Sequence, residues 1–157
     1  MTTIRKKTIK GLKKGDVLNV QRTFTEADTK IFGDISKDYN PIHYDDRYAL
    51  VKNMKGRICH GLLVGSMVTE IGGQIGWLAS CMNLYFKAPV YFGDTIWCCL
   101  TIRDIKPNGW ATASAILKNQ TGVTVMEAEL EGVVPGGPER DVLDLMVSEG
   151  DPTNRIR

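Results

Sequence analysis

Hydrophobic residues are spaced differently before and after Gly76. Before it, apolar side chains recur every four positions in two adjacent rows: Leu63, Met67, Ile71 and Ile75, and beside them Val64 and Val68. A helical period with apolar groups nearly all round is typical of a buried helix. The pattern therefore predicts a central helix over residues 60–76. Its glycines suggest that a sheet approaches the helix too closely for side chains at Gly61, Gly65, Gly72 and Gly73.

After Gly76 the period becomes two, which is typical of strands with one buried face. Apolar and polar residues alternate over residues 81–88 and 95–102, and further strands are predicted over 111–118 and 123–133. Turns are predicted at 107–109 and 119–122, where Asn and Gly cluster. The second half of the chain is therefore expected to form four antiparallel strands.

The residues before the central helix predict one strand and two shorter helices. The strand is expected over 16–24, with Arg22 interrupting its apolar side. Thr25 and Asp28 resemble a capping box that starts a helix ending near 36–37. A short helix is expected over 45–51. The first of these helices carries an apolar stripe: Ala27, Ile31, Phe32 and Ile35.

This order of elements favours an α+β fold in which one sheet curls around one long helix. Such a sheet has an edge strand, and pairing with a second copy of the chain would protect it. We expect one domain over residues 1–157, with a core from about 16 to 134. Six basic residues within 4–14 favour a solvated, frayed N-terminus over attraction to a phosphorylated ligand. The tail after 135 is expected to hold one short helix at 142–147.

Composition indicates a soluble globular protein of 157 residues, with 43% hydrophobic and 24% charged residues. The net charge of +2 gives no drive toward nucleic acid or membrane, and no apolar run reaches the roughly 20 residues of a bilayer span. The N-terminus lacks the apolar segment of a secretory signal. The four cysteines lack the spacing of a zinc site, so we expect no metal and free, buried thiols in a reducing cytoplasm.

The strongest chemical signal is the segment from Asp38 to His43, which contains Pro41. Proline disfavours a helix across this segment, so a rigid turn can aim the carboxylate and the imidazole at one point. Two such groups can hold one water molecule and move its proton. His60 and Gly61 follow at the start of the predicted buried helix, where unpaired N–H groups are expected.

With these residues in place, the chain resembles the MaoC-like hydratases of the hotdog fold, especially the (R)-specific enoyl-CoA hydratases. The resemblance covers about residues 16–134. It rests on three segments, at 38–45, 58–63 and 86–94: DYNPIHYD, ICHGLL and FKAPVYFGD.

The resemblance implies a homodimer with an acyl-CoA thioester bound where the subunits meet, and no cofactor. It implies that Asp38 and His43 handle the water and that the Gly61 amide stabilises the thioester oxygen. A serine that the family places on the central helix falls on Thr69, with Ser66 as the other candidate. This departure leaves the role of the hydroxyl open.

For hydration we expect His43 to take a proton from water while Asp38 holds that water and passes a proton to the α-carbon. The sequence alone leaves these two roles interchangeable. Asn40 is a further candidate in the substrate site, although asparagine at such a turn commonly bonds its own backbone. Asp38 can cap the turn in the same way, and His60 is interpreted as a side chain that shapes the helix start.

Two other functions compete with hydration or its reverse, dehydration. A hotdog thioesterase would need a carboxylate near the central helix, and Glu70 is the acidic residue there. A non-catalytic acyl-CoA-binding protein would not need Asp38 and His43 together. The sequence does not choose between CoA and acyl-carrier protein as the carrier.

Overall fold

The computed structural model describes residues 2–151 and 153, and these form five α-helices, one short 3₁₀ helix and a five-stranded sheet. In chain order the elements are α1 (Thr3–Lys10), β1 (Val17–Thr23), α2 (Glu26–Ser36), the 3₁₀ helix (Pro41–His43), α3 (Asp46–Val51), α4 (Gly61–Ile75), β2 (Leu78–Phe86), β3 (Thr95–Ile105), β4 (Trp110–Asn119), β5 (Thr124–Val133) and α5 (Gly137–Ser148). From β1 to β5 the predicted order of one strand, helices and four strands is confirmed, whereas α1 before β1 was not predicted.

The core lies between α4 and one face of the sheet. The strands run in the order β1-β3-β4-β5-β2, with every neighbouring pair antiparallel. Both predicted rows of α4 are buried, and the inward row of β3 is fully buried: Ile96, Cys98, Leu100 and Ile102. The predicted α+β architecture of one sheet around one buried helix is therefore confirmed.

Close approach to the sheet explains two of the four glycines in α4. A Cβ atom on Gly61 would overlap the ring of Phe86, and one on Gly65 would lie 3.1 Å from Leu84 Cδ1. No described atom lies within 4 Å of a Cβ built on Gly72 or Gly73. The prediction is therefore wrong for these last two glycines, because a cavity lies between them and β2.

Strand β2 lies at an edge of the sheet. The alternation of apolar and polar residues predicted this strand only in part. It starts at Leu78 rather than near 81, and its expected inward row is mostly exposed, with only Leu84 partly buried. An edge strand has a sheet neighbour on one side only, so alternation there does not guarantee burial. Met82 and Phe86 leave apolar surface on the outside of the chain.

Helix α2 begins as predicted, with Thr25 and Asp28 forming a reciprocal capping box. Its apolar stripe does not face the core, however, since Ile31 and Ile35 are 60% and 78% exposed. The buried side of α2 is formed by small residues because the Tyr44 hydroxyl occupies the space where a side chain on Gly33 would lie. Phe32 alone of the stripe packs against the core among the described contacts.

Residues Thr3–Lys10 form helix α1, which corrects the expectation of a solvated, partly frayed segment there. Helix α1 is capped by Thr2 and buries Ile4, Arg5 and Thr8. Arg5 Nε lies 3.3 Å from Asp151 Oδ2 beyond α5, and both side chains are buried. Helix α1 therefore packs against α4 and α5, the latter being twice as long as the predicted 142–147.

The cysteines are free, but they are not all buried as expected. Cys59 and Cys98 are buried, whereas Cys81 and Cys99 are exposed because they lie on the edge strand and on the outer face of the sheet. Burial raises the pKa of both Cys59 and Cys98 to about 12. In the part of the chain that the structure describes, no helix is long and apolar enough to cross a membrane.

Candidate active site

The loop between α2 and the 3₁₀ helix sets the first part of the site. Lys37 ends α2 in the left-handed conformation, with φ 62°. Pro41 starts the 3₁₀ helix, and Asn40 caps it by accepting a hydrogen bond from the Ile42 amide at 3.2 Å. This chain path places Asp38 before the turn and His43 at its end, as the sequence predicted. Asn40 has the backbone-capping contact that its residue type suggested.

His43 is buried and has one defined tautomer in its neutral form. Its Nδ1 lies 2.8 Å from the Ile58 carbonyl oxygen. Because a carbonyl oxygen only accepts, Nδ1 carries the proton and Nε2 keeps a lone pair. Burial lowers the pKa of His43 and the neighbouring His60 lowers it further, whereas the Ile58 hydrogen bond and Asp38 raise it. The balance favours the neutral ring, so Nε2 is suited to act as a base.

Asp38 presents one carboxylate oxygen to the turn and the other to His43. Oδ1 accepts a hydrogen bond from the Asn40 amide at 3.2 Å, so the turn-capping contact is present. Oδ2 lies 4.0 Å from His43 Nε2 and 3.9 Å from His60 Nε2, and the side chain is 50% exposed. Two acceptors at this separation cannot bond each other, but one water at about 2.8 Å from each can donate a proton to both.

His60 completes this group in a way that the sequence did not indicate. It is the residue before α4, yet its side chain makes no hydrogen bond to the helix start. Its Nε2 lies 2.8 Å from the Asp38 carbonyl oxygen, and its ring centroid lies 3.8 Å from that of His43. The contact spans 22 residues, and the residue type at position 60 gave no sign of it.

Among the described residues, Asp38, His43 and His60 each offer one potential metal-binding atom, and these three atoms lie within 4.8 Å of one another. The Nε2 proton of His60 points to the Asp38 carbonyl, so this nitrogen offers no lone pair to a cation. The hydrogen-bonding pattern therefore fits a water molecule between Asp38 and His43 better than it fits a metal ion.

The first amide of α4 faces the same space. Gly61 is the first helical residue, and among the described hydrogen bonds its N–H donates to no acceptor. An N–H group at a helix start is unpaired within the helix and lies at its positive end. Segment 58–60 holds this start in place through the Ile58 amide, which donates to Ile42 O, and the Cys59 amide, which donates to Val90 O.

A cavity of about 490 Å³ connects these groups. Asp38, His43 and Gly61 contribute the polar side, and Lys87 also lines the space. The rest of the lining is mainly apolar, including Ile58, Leu62, Val64, Phe86, Val90 and Met126. The arrangement suits a ligand with a polar reacting group and an aliphatic chain.

The other candidate residues on α4 lie outside this cavity in the single chain. Thr69 Oγ1 donates to the Ser66 carbonyl at 2.7 Å and lines a second cavity of about 200 Å³ beside β2. Ser66 Oγ donates to the Leu63 carbonyl at 2.6 Å and accepts from Arg22. Arg22 also forms an ion pair with Glu70, which explains a charged residue on the inner side of β1.

Comparison with known proteins identifies the family of the chain. The family model described as MaoC like domain matches residues 11–124. A mitochondrial 3-hydroxyacyl-acyl-carrier-protein dehydratase of Arabidopsis thaliana is 32% identical over 130 residues, which are 79% of this chain and 78% of that protein. An (R)-specific enoyl-CoA hydratase of Rhodospirillum rubrum is 30% identical over 128 residues, 79% of this chain and 89% of that protein.

Among solved structures, an unliganded R-hydratase of Pseudomonas aeruginosa, PhaJ1, superposes with a TM-score of 0.74 at 27% identity, covering 81% of this chain and 84% of that one. The fold is thus that of the hotdog R-hydratases, a class of small sheet-around-helix proteins. The chain belongs to the MaoC-like domain family.

Proposed function

We propose that this protein is a hydro-lyase that adds water reversibly to a trans-2-enoyl thioester and forms an (R)-3-hydroxyacyl thioester. The observation that carries the proposal is the 4.0 Å separation of Asp38 Oδ2 and His43 Nε2, both acceptors, beside the cavity that Gly61 lines. Relatives in the same family are named for this hydration and for the reverse dehydration.

The water is held between the two side chains and attacks the β-carbon. His43 Nε2 takes one water proton as the hydroxyl oxygen bonds to that carbon. Asp38 holds the same water, and the proton that His43 has taken then passes through the Asp38 carboxylate to the α-carbon, which returns both side chains to their starting states. In the net change, one O–H bond of water and the C=C π bond are broken, and one C–O and one C–H bond are formed. General acid–base help of this kind typically contributes about 10²- to 10⁴-fold.

Charge that develops on the thioester oxygen needs a donor outside this pair. The Gly61 amide is suited to that role, because it is a free N–H at the start of α4 and lines the same cavity. Preorganised donors of this kind are often the largest single contribution to such reactions. The absence of a Cβ at Gly61 gives room for the Phe86 ring beside the site.

A second copy of the chain is expected to complete the site by pairing at β2. This strand is one of the two edges of the sheet and carries apolar side chains such as Met82 on its surface. The first cavity lies near Phe86 at one end of β2, and the second lies near Ala79 at the other. Antiparallel pairing of two β2 strands would bring each Thr69 cavity toward the partner's Asp38 and His43.

Thioester hydrolysis is disfavoured by the surroundings of Glu70. Its carboxylate is paired with Arg22, and it does not line the cavity that contains Asp38 and His43. A carboxylate held in this way is not available to activate a water at a thioester carbonyl. A binding protein without activity would not need the unpaired acceptors on Asp38 and His43.

Purified protein with crotonyl-CoA distinguishes the three functions. We expect loss of the conjugated thioester absorbance without release of a free thiol, which is the sign of hydration. Thiol release would indicate a thioesterase, and neither change would indicate a binding protein. A parallel reaction with crotonyl-acyl-carrier protein identifies the preferred carrier. Sedimentation of the same sample is expected to give a dimer, and an active monomer would contradict pairing at β2.

A further inference from the structure

The loop that carries Asp38 has few attachments to the rest of the site. The Asp38 amide donates a hydrogen bond to Ser36 Oγ at 3.2 Å, and Asp38 Oδ1 accepts one from the Asn40 amide. Both contacts are local, within two residues. In the described structure, the hydrogen bond that ties Asp38 to the start of α4 is the one from His60 Nε2 to its carbonyl oxygen, at 2.8 Å.

His60 is well placed to fix the positions of Asp38 and His43 relative to each other. It is 1% exposed, and its ring packs against His43 at 3.8 Å and Phe32 at 5.1 Å between centroids. Because a carbonyl oxygen only accepts, the Nε2 of His60 must carry the proton. One side chain on the α4 boundary therefore contacts the backbone of Asp38 and the ring of His43.

The other ring nitrogen argues against a purely stabilising role for His60. Nδ1 is buried and makes no hydrogen bond within the described residues. An unpaired buried acceptor lowers stability, so an apolar side chain of similar size would suit a packing position better. A residue that lowers stability but holds a reacting group is typical of functional sites.

We infer that His60 is a positioning residue: its Nε2–H holds the Asp38 carbonyl so that the carboxylate faces the lone pair of His43. This inference rests on the proposed hydration. His60 Nε2 lies 3.9 Å from Asp38 Oδ2, which is beyond hydrogen-bonding distance, so His60 acts through the Asp38 backbone by keeping Oδ2 at the distance that one shared water requires. Its expected contribution is to turnover rather than to substrate binding, because the cavity lining does not include it.

Two amide substitutions separate the hydrogen bond from the bulk of the side chain. His60→Gln places an N–H at about the reach of Nε2, whereas His60→Asn is too short to reach the Asp38 carbonyl. We expect His60→Asn to lower kcat by about 100-fold, the size of effect that a misplacement of about 1 Å produces. His60→Gln is expected to recover most of this loss, and KM is expected to change little in either variant.

Phe32→Leu is the matched control for packing. It removes the ring that packs against His60 but leaves both histidines and their hydrogen bonds in place. We expect it to lower the melting temperature while kcat stays near the wild-type value. If kcat in His60→Asn, His60→Gln and Phe32→Leu instead followed the loss of stability, a structural role would explain all three and the inference would be wrong.

A measurement that does not depend on activity tests the hydrogen bond directly. The chain contains two histidines, so nitrogen-15 NMR of the imidazoles gives two resolvable rings. At neutral pH we expect the Nε2–H tautomer for His60 and the Nδ1–H tautomer for His43. An Nδ1–H tautomer at His60 would overturn the inference even if the enzyme hydrates crotonyl-CoA. Failure of the wild type to hydrate either carrier's thioester would instead reject the proposed function.

Discussion

Two polar clusters contact α4, and they differ in how many of their hydrogen bonds are already made. At the start of the helix, Asp38 Oδ2 and His43 Nε2 are acceptors that face each other across 4.0 Å. Farther along, Arg22 forms an ion pair with Glu70 and donates to Ser66, whose own hydroxyl donates to the backbone. Each cluster joins α4 to an element that lies earlier in the chain.

Under the proposed function, the first cluster is a site for chemistry and the second is a site for stability. Paired and hydrogen-bonded charges hold elements together, but their lone pairs and protons are committed. Acceptors that remain unpaired beside a cavity can take a water and move its proton. The position of a polar residue near the central helix is therefore a weaker guide to function than its unsatisfied hydrogen-bonding capacity.

The largest expected effect comes from replacing Asp38 or His43, the two residues whose unpaired acceptors face each other. We expect Asp38→Asn and His43→Gln each to lower kcat for crotonyl-CoA by at least about 100-fold, because each removes one group that handles the water proton. Circular dichroism and the melting temperature should stay close to the wild type. Near-normal turnover in a folded sample of either variant would remove the basis for assigning catalysis to this cluster.

A methyl group at the start of α4 tests the amide side of the same cavity. In Gly61→Ala the new Cβ overlaps the Phe86 ring, so the ring or the helix start must move. We expect kcat/KM to fall by about 10- to 100-fold, since small displacements of catalytic groups have effects of this size.

Gly65→Ala is the control on the same helix, since Gly65 does not line the cavity and its Cβ would lie 3.1 Å from Leu84 Cδ1 and at an ordinary 3.7 Å from Met126 Sδ. We expect its kcat/KM to stay near that of the wild type. Equal losses in the two variants would mean that helix packing, rather than the Gly61 amide, controls the rate.

Acid pH should lower kcat/KM by protonating His43. Burial lowers its pKa from the ordinary value of 6.5, so the neutral base persists below that pH in the folded protein. We expect kcat/KM to remain high at pH 6.5 and to fall only as the pH drops through the lowered pKa. An acid limb that begins above pH 6.5 would indicate a different base.

The lowered pKa of His43 also determines how the stability of the folded protein changes with pH. Below pH 6.5 the unfolded chain binds a proton at this position more readily than the folded chain, so stability falls as the pH decreases. Denaturation at pH 7.5 and at pH 5.5 should show this loss, and His43→Gln should reduce it. A His43→Gln protein with the full acid loss would assign that loss to other groups.

The smallest effect on activity is expected from changes in the cluster of Arg22, Ser66 and Glu70. Glu70→Gln leaves Arg22 without its charged partner, and we expect the free energy of unfolding to fall by about 1–3 kcal/mol for a partly buried pair. Turnover should stay near that of the wild type, because Glu70 does not line the cavity. Urea denaturation and the crotonyl-CoA assay measure the two quantities, and a loss of turnover without a loss of stability would make Glu70 part of the reaction.

The sequence predicted those parts of the site that depend on neighbouring residues. Pro41 and the asparagine before it gave the turn between Asp38 and His43, and Thr25 with Asp28 gave the start of α2. The two interpretations of Asp38 involve different oxygens of one carboxylate: Oδ1 caps the turn, and Oδ2, which the proposed function uses, lies near His43. Residue types alone could not separate them, because each oxygen's partner depends on the folded loop.

Where the prediction was wrong, a contact distant in sequence decided the outcome. Helix α1 packs against the rest of the chain, and one of its contacts is the pair of Arg5 with Asp151 near the other end of the chain. Ile31 and Ile35 of the α2 stripe are exposed, and Tyr44 packs instead against Gly33 on the buried side of that helix. Alternation in β2 did not bury its inward row because the strand lies at the edge of the sheet.

The sequence by itself determined the buried α4, the alternating strands and the bent segment from Asp38 to His43, since periodicity, capping and proline act over a few residues. Only the tertiary structure decided that His60 bonds to Asp38 across 22 residues and that Arg22 binds Glu70 across 48. The physical reason is that a side chain's hydrogen-bond partner is set by which elements pack together. Local patterns fix the shape of each element but not its neighbours.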